Sequence, residues 1–441
     1  MGAVRVYNLT SIRQYFGPYN VPPGEWAELP YTLAAQLAGT VDYRAEDAAL
    51  LLNYRFRDDD GTHLGWSSPF HYADGYGGAA QDIAKTFLDM GVKLSIFPRD
   101  YDPSRAQFGG FPLESWPDRA FVPHNIVDRL RQPQEQVFYG INMTWPPETD
   151  RHPFCRGIGF TMFETTAPPR HWSDAMNRAR RIVVPCLQNA EAFRNQGVTV
   201  PIDVVQLGID PDRWRYFDRE KHPRRFRFLM SGGLTHRKNP VGAARAFVAA
   251  FPPNQRDVQL VLKTRGGNTV GGFYDWRHEM PDDPRIAVIC EESTPAQMVA
   301  QMWEANAFIF PSRGEGFGLP PLQAMATGLP VIVSDNSGMS EYCDSRYNYP
   351  IPCTEVPVPR PPAPGGYPPH WGEVGNWWEP DFDALVETMR SVYANQGAAL
   401  KKGGKAAEWA RDRWTVRDTC EGILRVVRAD AEESGVQWST E

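Results

Sequence analysis

The sequence predicts an α/β protein: two doubly wound parallel units facing across a cleft, preceded by a small N-terminal extension. Three observations carry this. Short apolar runs alternate with segments whose apolar residues recur at helical spacing, the pattern of parallel strands covered on both faces by helices. The alternation occurs twice, with a charged break near residues 215–225, so each half can build its own Rossmann-like sheet. Finally, 441 residues that are 42% hydrophobic and 12% aromatic suffice for two or three cored domains and are too apolar for a disordered chain.

The elements follow in order. Residues 1–55 form the extension. Val4, Val6 and Tyr7 start a short strand with nothing regular behind it, residues 21–26 read as a turn, and 30–37 as a short helix. No chemistry attaches to this segment, which reads as a packing or oligomerisation appendage. The first α/β unit is expected over 56–218. There Trp66-Ser67-Ser68-Pro69-Phe70 makes a poor strand, and Gly75-Tyr76-Gly77-Gly78 opens a helix with apolar face Ala80, Ile83, Ala84, Phe87 and Leu88. Gly91 ends that helix and 92–97 returns as a strand.

The second unit is expected over 219–414. Strands are expected at 226–231, 258–263, 287–290, 307–310 and 331–334, and helices at 241–251, 295–303 and 319–326. Proline is abundant, 40 residues, about twice the average share. Nine of the twenty residues in 350–369 are proline, which excludes a helix or a central strand and predicts a surface excursion with PPII character. A last helix around 406–427 is expected to cross back, so that residues 415–441 complete the first unit, with Trp409 and Trp414 as anchors.

Composition excludes several classes. A formal charge of −7 and a pI near 5.8 leave no global positive field for nucleic acid. No run approaches the roughly 20 apolar residues of a membrane helix, and the first residues lack the apolar core of a secretory signal. Six cysteines lie far apart with no CxxC pair, so neither a disulfide framework nor zinc spacing is present. A cytoplasmic protein is expected.

The strongest motif is Pro311-Ser312-Arg313-Gly314-Glu315-Gly316-Phe317-Gly318-Leu319-Pro320-Pro321-Leu322-Gln323-Ala324-Met325-Ala326. A strand ends in a glycine-rich turn that carries an acid, and a helix begins at once. Amides at that helix start form an anion seat, Gly316 and Gly318 admit a phosphate to the backbone, and Glu315 can accept from sugar hydroxyls. This motif, followed by Gly328-Leu329-Pro330-Val331-Ile332-Val333-Ser334, resembles the nucleotide-sugar site of the retaining GT-B glycosyltransferases related to glycogen synthase and the bacterial mannosyltransferases. Ser231-Gly232-Gly233-Leu234-Thr235-His236-Arg237-Lys238-Asn239-Pro240 is similar to that family's glycine-rich turn. Further resemblances lie in Ile158-Gly159-Phe160-Thr161-Met162-Phe163-Glu164, in Val184-Pro185 and in Val204-Val205-Gln206-Leu207-Gly208-Ile209-Asp210. They span the chain from about His63 onward, with the proline-rich stretch as an insertion.

The resemblance implies a GT-B fold and transfer of a hexose, with retention, from a UDP- or GDP-linked sugar to a hydroxyl of a glycan, protein or small molecule. It implies donor contacts from Gly232, Gly233, Lys263, Gly316, Phe317, Gly318, Leu319 and Gln323, and catalytic roles for Glu315, Lys238 and Arg237. Lys238 neutralises the donor diphosphate. Gly77, Gly78 and Glu164 fall on the acceptor side. No cofactor beyond the nucleotide sugar and no metal is expected. Two positions depart from the family. Its second glutamate is Gln323 here, which keeps hydrogen-bonding capacity but loses charge-assisted strength. The arginine five residues before the lysine is Gly233, so Arg237, or Lys263 with Arg265, must supply the second positive charge.

Other candidates carry less. Gly75-Tyr76-Gly77-Gly78-Ala79-Ala80 fits a dinucleotide fingerprint but lacks a good preceding strand. Asp58-Asp59-Asp60 reads as a solvated loop, and His124, His152 and His171 as candidate bases that are more often structural. Trp377-Trp378 either packs or stacks on a sugar. Arg178, Arg180 and Arg181, like Arg224, Arg225 and Arg227, either meet acceptor phosphates or form solvated faces. Two alternatives stay open: transfer to a hydroxylated base in DNA, and an inactive sugar-nucleotide or glycan-binding protein. The opening segment resembles small appended modules of phage proteins, which keeps DNA and virion-protein acceptors open and would place a phage-encoded chain in the host cytoplasm.

Overall fold

The computed structural model describes residues 63–70, 75–99, 122–132, 137, 139–144, 156–219, 225–264, 276–291, 293–360 and 367–435, with short strands before residue 46 and within 101–112. Those short strands are β1 (Ala3–Asn8), β2 (Gln14–Phe16), β3 (Tyr19–Val21), β4 (Trp26–Pro30) and β5 (Tyr43–Ala45). β1 is the expected first strand. It is not followed by irregular chain, however: β4 and β5 pair with it antiparallel on either side. Pro30 closes β4 instead of opening a helix, and 31–37 lie outside the described residues.

Next come β6 (Leu64–Ser68), α1 (Gly75–Asp89), β7 (Leu94–Pro98), a small antiparallel group β8 (Tyr101–Asp102), β9 (Gln107–Phe108) and β10 (Phe111–Pro112), then α2 (His124–Arg131). β11 (Tyr139–Met143), β12 (Arg156–Phe160), α3 (Trp172–Met176), β13 (Arg181–Val184), α4 (Leu187–Asn195) and β14 (Ile202–Val204) complete the half. The six strands run parallel in the order β14-β13-β12-β11-β6-β7. β6 is therefore an inner strand, against expectation. Every one of its residues is buried, and the Ser68 hydroxyl bonds the Met143 carbonyl at 3.0 Å. A strand covered on both faces needs no alternation, and serines with backbone partners can be buried in it.

The second half agrees closely with expectation: β15 (Phe226–Ser231), α5 (Pro240–Ala250), β16 (Val258–Thr264), β17 (Ile286–Cys290), α6 (Pro295–Glu304), β18 (Ala307–Phe310), α7 (Leu319–Ala326), β19 (Val331–Ser334) and β20 (Tyr349–Ile351). Its sheet is parallel in the order β17-β16-β15-β18-β19-β20. Pro350 sits in β20, the outer strand, where a missing amide costs no ladder bond. The proline-rich stretch is more ordered than a PPII excursion: β21 (Cys353–Pro357) pairs antiparallel with β22 (Asn376–Pro380).

The chain ends in α8 (Phe382–Ala394), α9 (Gln396–Arg413) and α10 (Val416–Glu433). The single crossing helix expected over 406–427 is thus broken at Trp414. Thr415 and Asp418 form a reciprocal capping box that starts α10, and a helix with its own cap begins anew. α10 packs back onto the first half. Tyr139 donates to the buried Asp430 at 2.9 Å, and Cys420 packs on the Ile83 carbonyl. Arg181 binds Asp203 and Glu433, and Arg180 reaches Asp430, so these arginines of the basic run hold α10.

Both interdomain crossings are pinned together, because Ile209 donates to the Trp414 carbonyl and accepts from the Val416 amide. Gly208 sits in the closest part of this junction, where a Cβ would lie 2.1 Å from the Thr415 carbonyl carbon. Backbone cannot give way as a flexible side chain does. Gly208→Ala is expected to destabilise the protein by about 1–3 kcal/mol, the range for overpacking, read as a lower melting temperature.

Candidate active site

Two loops at the carboxyl ends of adjacent strands build the site. β15 feeds residues 232–239 into α5, and β18 feeds 311–318 into α7, while β15 lies between β16 and β18. That is the point where successive connections diverge and open a crevice. Gly232 has φ +147° with open space where a side chain would be. Its amide is fixed on the Lys263 carbonyl at 3.2 Å. Asn239, at φ 63°, caps α5 by accepting from the Gly242 amide.

Glu315 is 5% exposed and is held on every side. Lys238 reaches one carboxylate oxygen at 2.8 Å; Arg237 at 3.1 Å and the Ser312 hydroxyl at 2.6 Å reach the other. Its amide donates to the Ser337 hydroxyl at 2.8 Å. Burial alone would raise the Glu315 carboxyl, but Lys238 and Arg237 outweigh it and hold it below its usual range. Burial likewise pulls the Lys238 ammonium down, with Arg237 adding to it and Glu315 opposing. Arg237 is shifted upward despite burial because Glu164 and Glu315 both face it. Glu164, from the loop after β12, binds Arg237 at 3.0 Å, so this cluster of two acids and two bases spans both halves of the molecule.

The halves meet tightly here. A Cβ on Gly314 would lie 2.1 Å from the Glu164 carbonyl oxygen, and one on Gly316 would lie 2.5 Å from Met162. The lack of a side chain at Gly316 thus admits the facing loop. Met162 in turn donates its amide to Tyr76, which brings the start of α1, with buried Gly77 and half-buried Gly78, to the edge of the cluster.

The remaining predicted residues fall as follows. Lys263 is buried at the end of β16 and donates to the Glu291 carbonyl at 2.7 Å. Phe317 turns its ring into the core against Tyr342, leaving only its backbone for a ligand. Gly318 caps α7 at φ 89°, and Leu319 is its half-buried first residue. Pro320 and Pro321 carry no amide hydrogen, so the anion seat at this helix is narrower than the motif suggests. Gln323 is half-buried, and its amide has no hydrogen-bond partner among the described residues. Half-buried Gly233 lies in the turn beside Gly232.

Other candidates stand apart. His124 and His171 are exposed at the starts of short helices, whereas His152, Asp58, Asp59, Asp60, Arg224 and Arg265 lie outside the described residues. Arg227 pairs with Glu304. Trp377 packs: it is 2% exposed, its ring 5.8 Å from that of His236 and 5.5 Å from the Arg313 guanidinium. Sequence reasoning gave no role to Ser312, Ser337 and Tyr367; Ser312 meets Glu315 within its own turn, whereas Ser337 and Tyr367 act through contacts distant along the chain. A cavity of about 580 Å³ lies elsewhere, between β14 and the α9–α10 corner, lined in part by Trp409, Trp414, Arg413 and Arg425. No member of the charged cluster lines it.

Residues 176–362 match the model of a family described as Family 4 Glycosyltransferase in conflict systems. Over that stretch, less than half of its length, the chain is similar to family 4 glycosyltransferases. The lipopolysaccharide core biosynthesis mannosyltransferase LpsB of Rhizobium meliloti (strain 1021) is 59% identical over 197 residues, covering 41% of this chain and 53% of LpsB. The glycogen synthase of Mycobacterium tuberculosis (strain ATCC 25618 / H37Rv) is 28% identical over 143 residues, 32% of this chain and 33% of that one. The match thus spans between a third and about a half of the length of these curated relatives. Among solved structures, Anabaena Alr3699/HepE in complex with UDP-glucose aligns with a TM-score of 0.58 at 12% identity, over 83% of this chain and 99% of that chain. The two parallel sheets are those of the GT-B fold.

The buried acid Glu315 also bears on stability, which its motif alone does not reveal. A carboxyl held low in the folded state is protonated more readily when unfolded. Its stabilisation is therefore complete above the unfolded value near 4.5 and is lost as pH falls through the lowered folded value. Glu315→Gln leaves Lys238 and Arg237 short of a buried partner, an expected loss of about 3–5 kcal/mol. Thermal melts across an acid pH series check both: the variant melts lower near neutrality and lacks the Glu315 part of the acid-induced decline.

Proposed function

We propose that the chain is a retaining glycosyltransferase that moves a hexose from a UDP- or GDP-linked sugar to a hydroxyl acceptor. The observation that carries this is the convergence of Lys238 and Arg237 on Glu315, beside the Gly232-Gly233 turn and between two parallel sheets. A departing nucleoside diphosphate needs fixed positive charge and close backbone, and this crevice provides both. The names of the mannosyltransferase and glycogen synthase relatives, and the UDP-glucose complex of the structural neighbour, support the same reading.

In the proposed scheme the diphosphate lies against Gly232, Gly233 and Lys238, with Arg237 as the second cation in place of the arginine replaced by Gly233. Lys263 stabilises the turn from β16, and the amides of Gly318 and Leu319 face the sugar end. Gln323 offers its amide to the ribose, and Glu315 accepts from a donor-sugar hydroxyl. As the bond from the anomeric carbon to the phosphate oxygen breaks, the acceptor oxygen forms its bond on the same face. The acceptor proton passes to the departing phosphate. The diphosphate's charge is met by Lys238 and Arg237 rather than by a metal. Because Glu315 and Glu164 already neutralise those cations within the protein, the donor enters a nearly neutral cluster and must draw the cations partly away. Glu164 and the start of α1 at Gly77 and Gly78 border the acceptor side.

The test is a thermal-shift and calorimetric screen against UDP-, GDP-, ADP- and TDP-sugars and their diphosphates. One nucleotide is expected to raise the melting temperature, and Lys238→Ala to remove that rise. No shift with any of them would contradict the donor assignment.

A further inference from the structure

The ribbon β21–β22 and the residues between its strands touch both halves of the molecule. Toward the first half, the Thr166 amide donates to the Asn376 carbonyl at 2.9 Å, and the Asn376 amide donates to the Thr166 hydroxyl at 2.9 Å. The Thr165 hydroxyl donates to the Val374 carbonyl. Toward the second half, the Trp378 amide donates to the Arg313 carbonyl at 2.8 Å, and Arg313 binds Glu379 at 2.5 Å. Tyr367 belongs to the same segment, its ring 5.3 Å from Phe163 and 5.6 Å from Trp371. Its hydroxyl donates to Glu164 at 3.3 Å, and the other oxygen of Glu164 receives Arg237 at 3.0 Å. Arg237 then reaches Glu315 at 3.1 Å. A continuous polar chain thus runs from the proline-rich segment through the first half to the buried acid of the second.

We infer that Tyr367 is a positioning residue for the donor site: its hydroxyl fixes Glu164, and Glu164 fixes the Arg237 guanidinium. The assignment rests on the donor reading above. Burial and the adjacent Glu164 carboxylate push the Tyr367 phenol well above its ordinary range, so the hydroxyl keeps its proton and remains a donor. A carboxylate held by one donor on each oxygen has little freedom to rotate, and a guanidinium held by Glu164, Glu315 and the Gly314 carbonyl has less. The proline-rich insertion therefore completes the site from outside the sequence motifs that mark it.

Two substitutions separate ring from hydroxyl. Tyr367→Phe keeps the stacking on Phe163 and Trp371 and removes one hydrogen bond; Tyr367→Ala removes both. Calorimetric affinities for UDP and GDP, melting temperatures and hydrogen exchange of residues 231–239 are measured for the full chain. The Phe variant is expected to melt slightly below the wild type, by the loss of one hydrogen bond, yet well above the Ala variant, and to bind the accepted nucleotide about tenfold more weakly. Exchange in 231–239 is expected to rise, although Tyr367 donates no hydrogen bond to that loop. Wild-type affinity and unchanged exchange in the Phe variant, with loss only in the Ala variant, would mean that packing alone matters and would overturn the inference. Should neither nucleotide bind the wild type, the donor reading fails, and the exchange measurement by itself still decides whether Tyr367 positions the loop.

Discussion

A buried carboxylate that must not lack a partner organises this molecule. Glu315 lies at the meeting point of two loops and a facing domain, and an ionised group there is tolerable only if cations and donors are fixed around it. Lys238 and Arg237 come from the turn after β15, Ser312 donates to the acid from three residues before it, and Ser337, from the turn after β19, accepts from its backbone amide. Asn336 ties the Ser312 carbonyl at 2.9 Å, so the partner shell is itself held. The adjacency of β15 and β18 in the sheet is what allows these loops to share one charge cluster.

The same cluster joins the halves. Glu164 adds the fourth charge from the other side of the cleft, and glycines at 314 and 316 let the facing loop come close enough to supply it. Two further devices hold the halves in register. One is the Ile209 to Thr415 junction where both crossings meet, and the other is the β21–β22 ribbon that bonds Thr166 and Arg313 at once. An interdomain site needs such ties, because the geometry of a charge cluster split between two bodies is only as fixed as the bodies themselves.

Much of this was legible in the sequence. The apolar strands at 226–231, 307–310 and 331–334 and the helix at 319–326 stand where their composition puts them, because runs bounded by glycine and proline have few alternatives. The glycine-rich turn marked Glu315 and the family resemblance marked Lys238, but their contact at 2.8 Å is visible only in the fold. What escaped was long-range. β6 hides its strand character behind glycine and serines whose burial makes sense only beside β11 and β7. The break at Trp414 was encoded in the Thr415 to Asp418 spacing but masked by continuous helical periodicity on both sides. The contact of Tyr367 with Glu164 joins residues 203 positions apart, and no local pattern announces it.

The most direct test is a crystal structure with the nucleoside diphosphate that the binding screen selects. The account predicts density for the diphosphate against the Gly232-Gly233 turn, within hydrogen-bond distance of Lys238 and Arg237, with its sugar end toward Glu315. A nucleotide bound anywhere else, with the Glu315 cluster undisturbed, would contradict it.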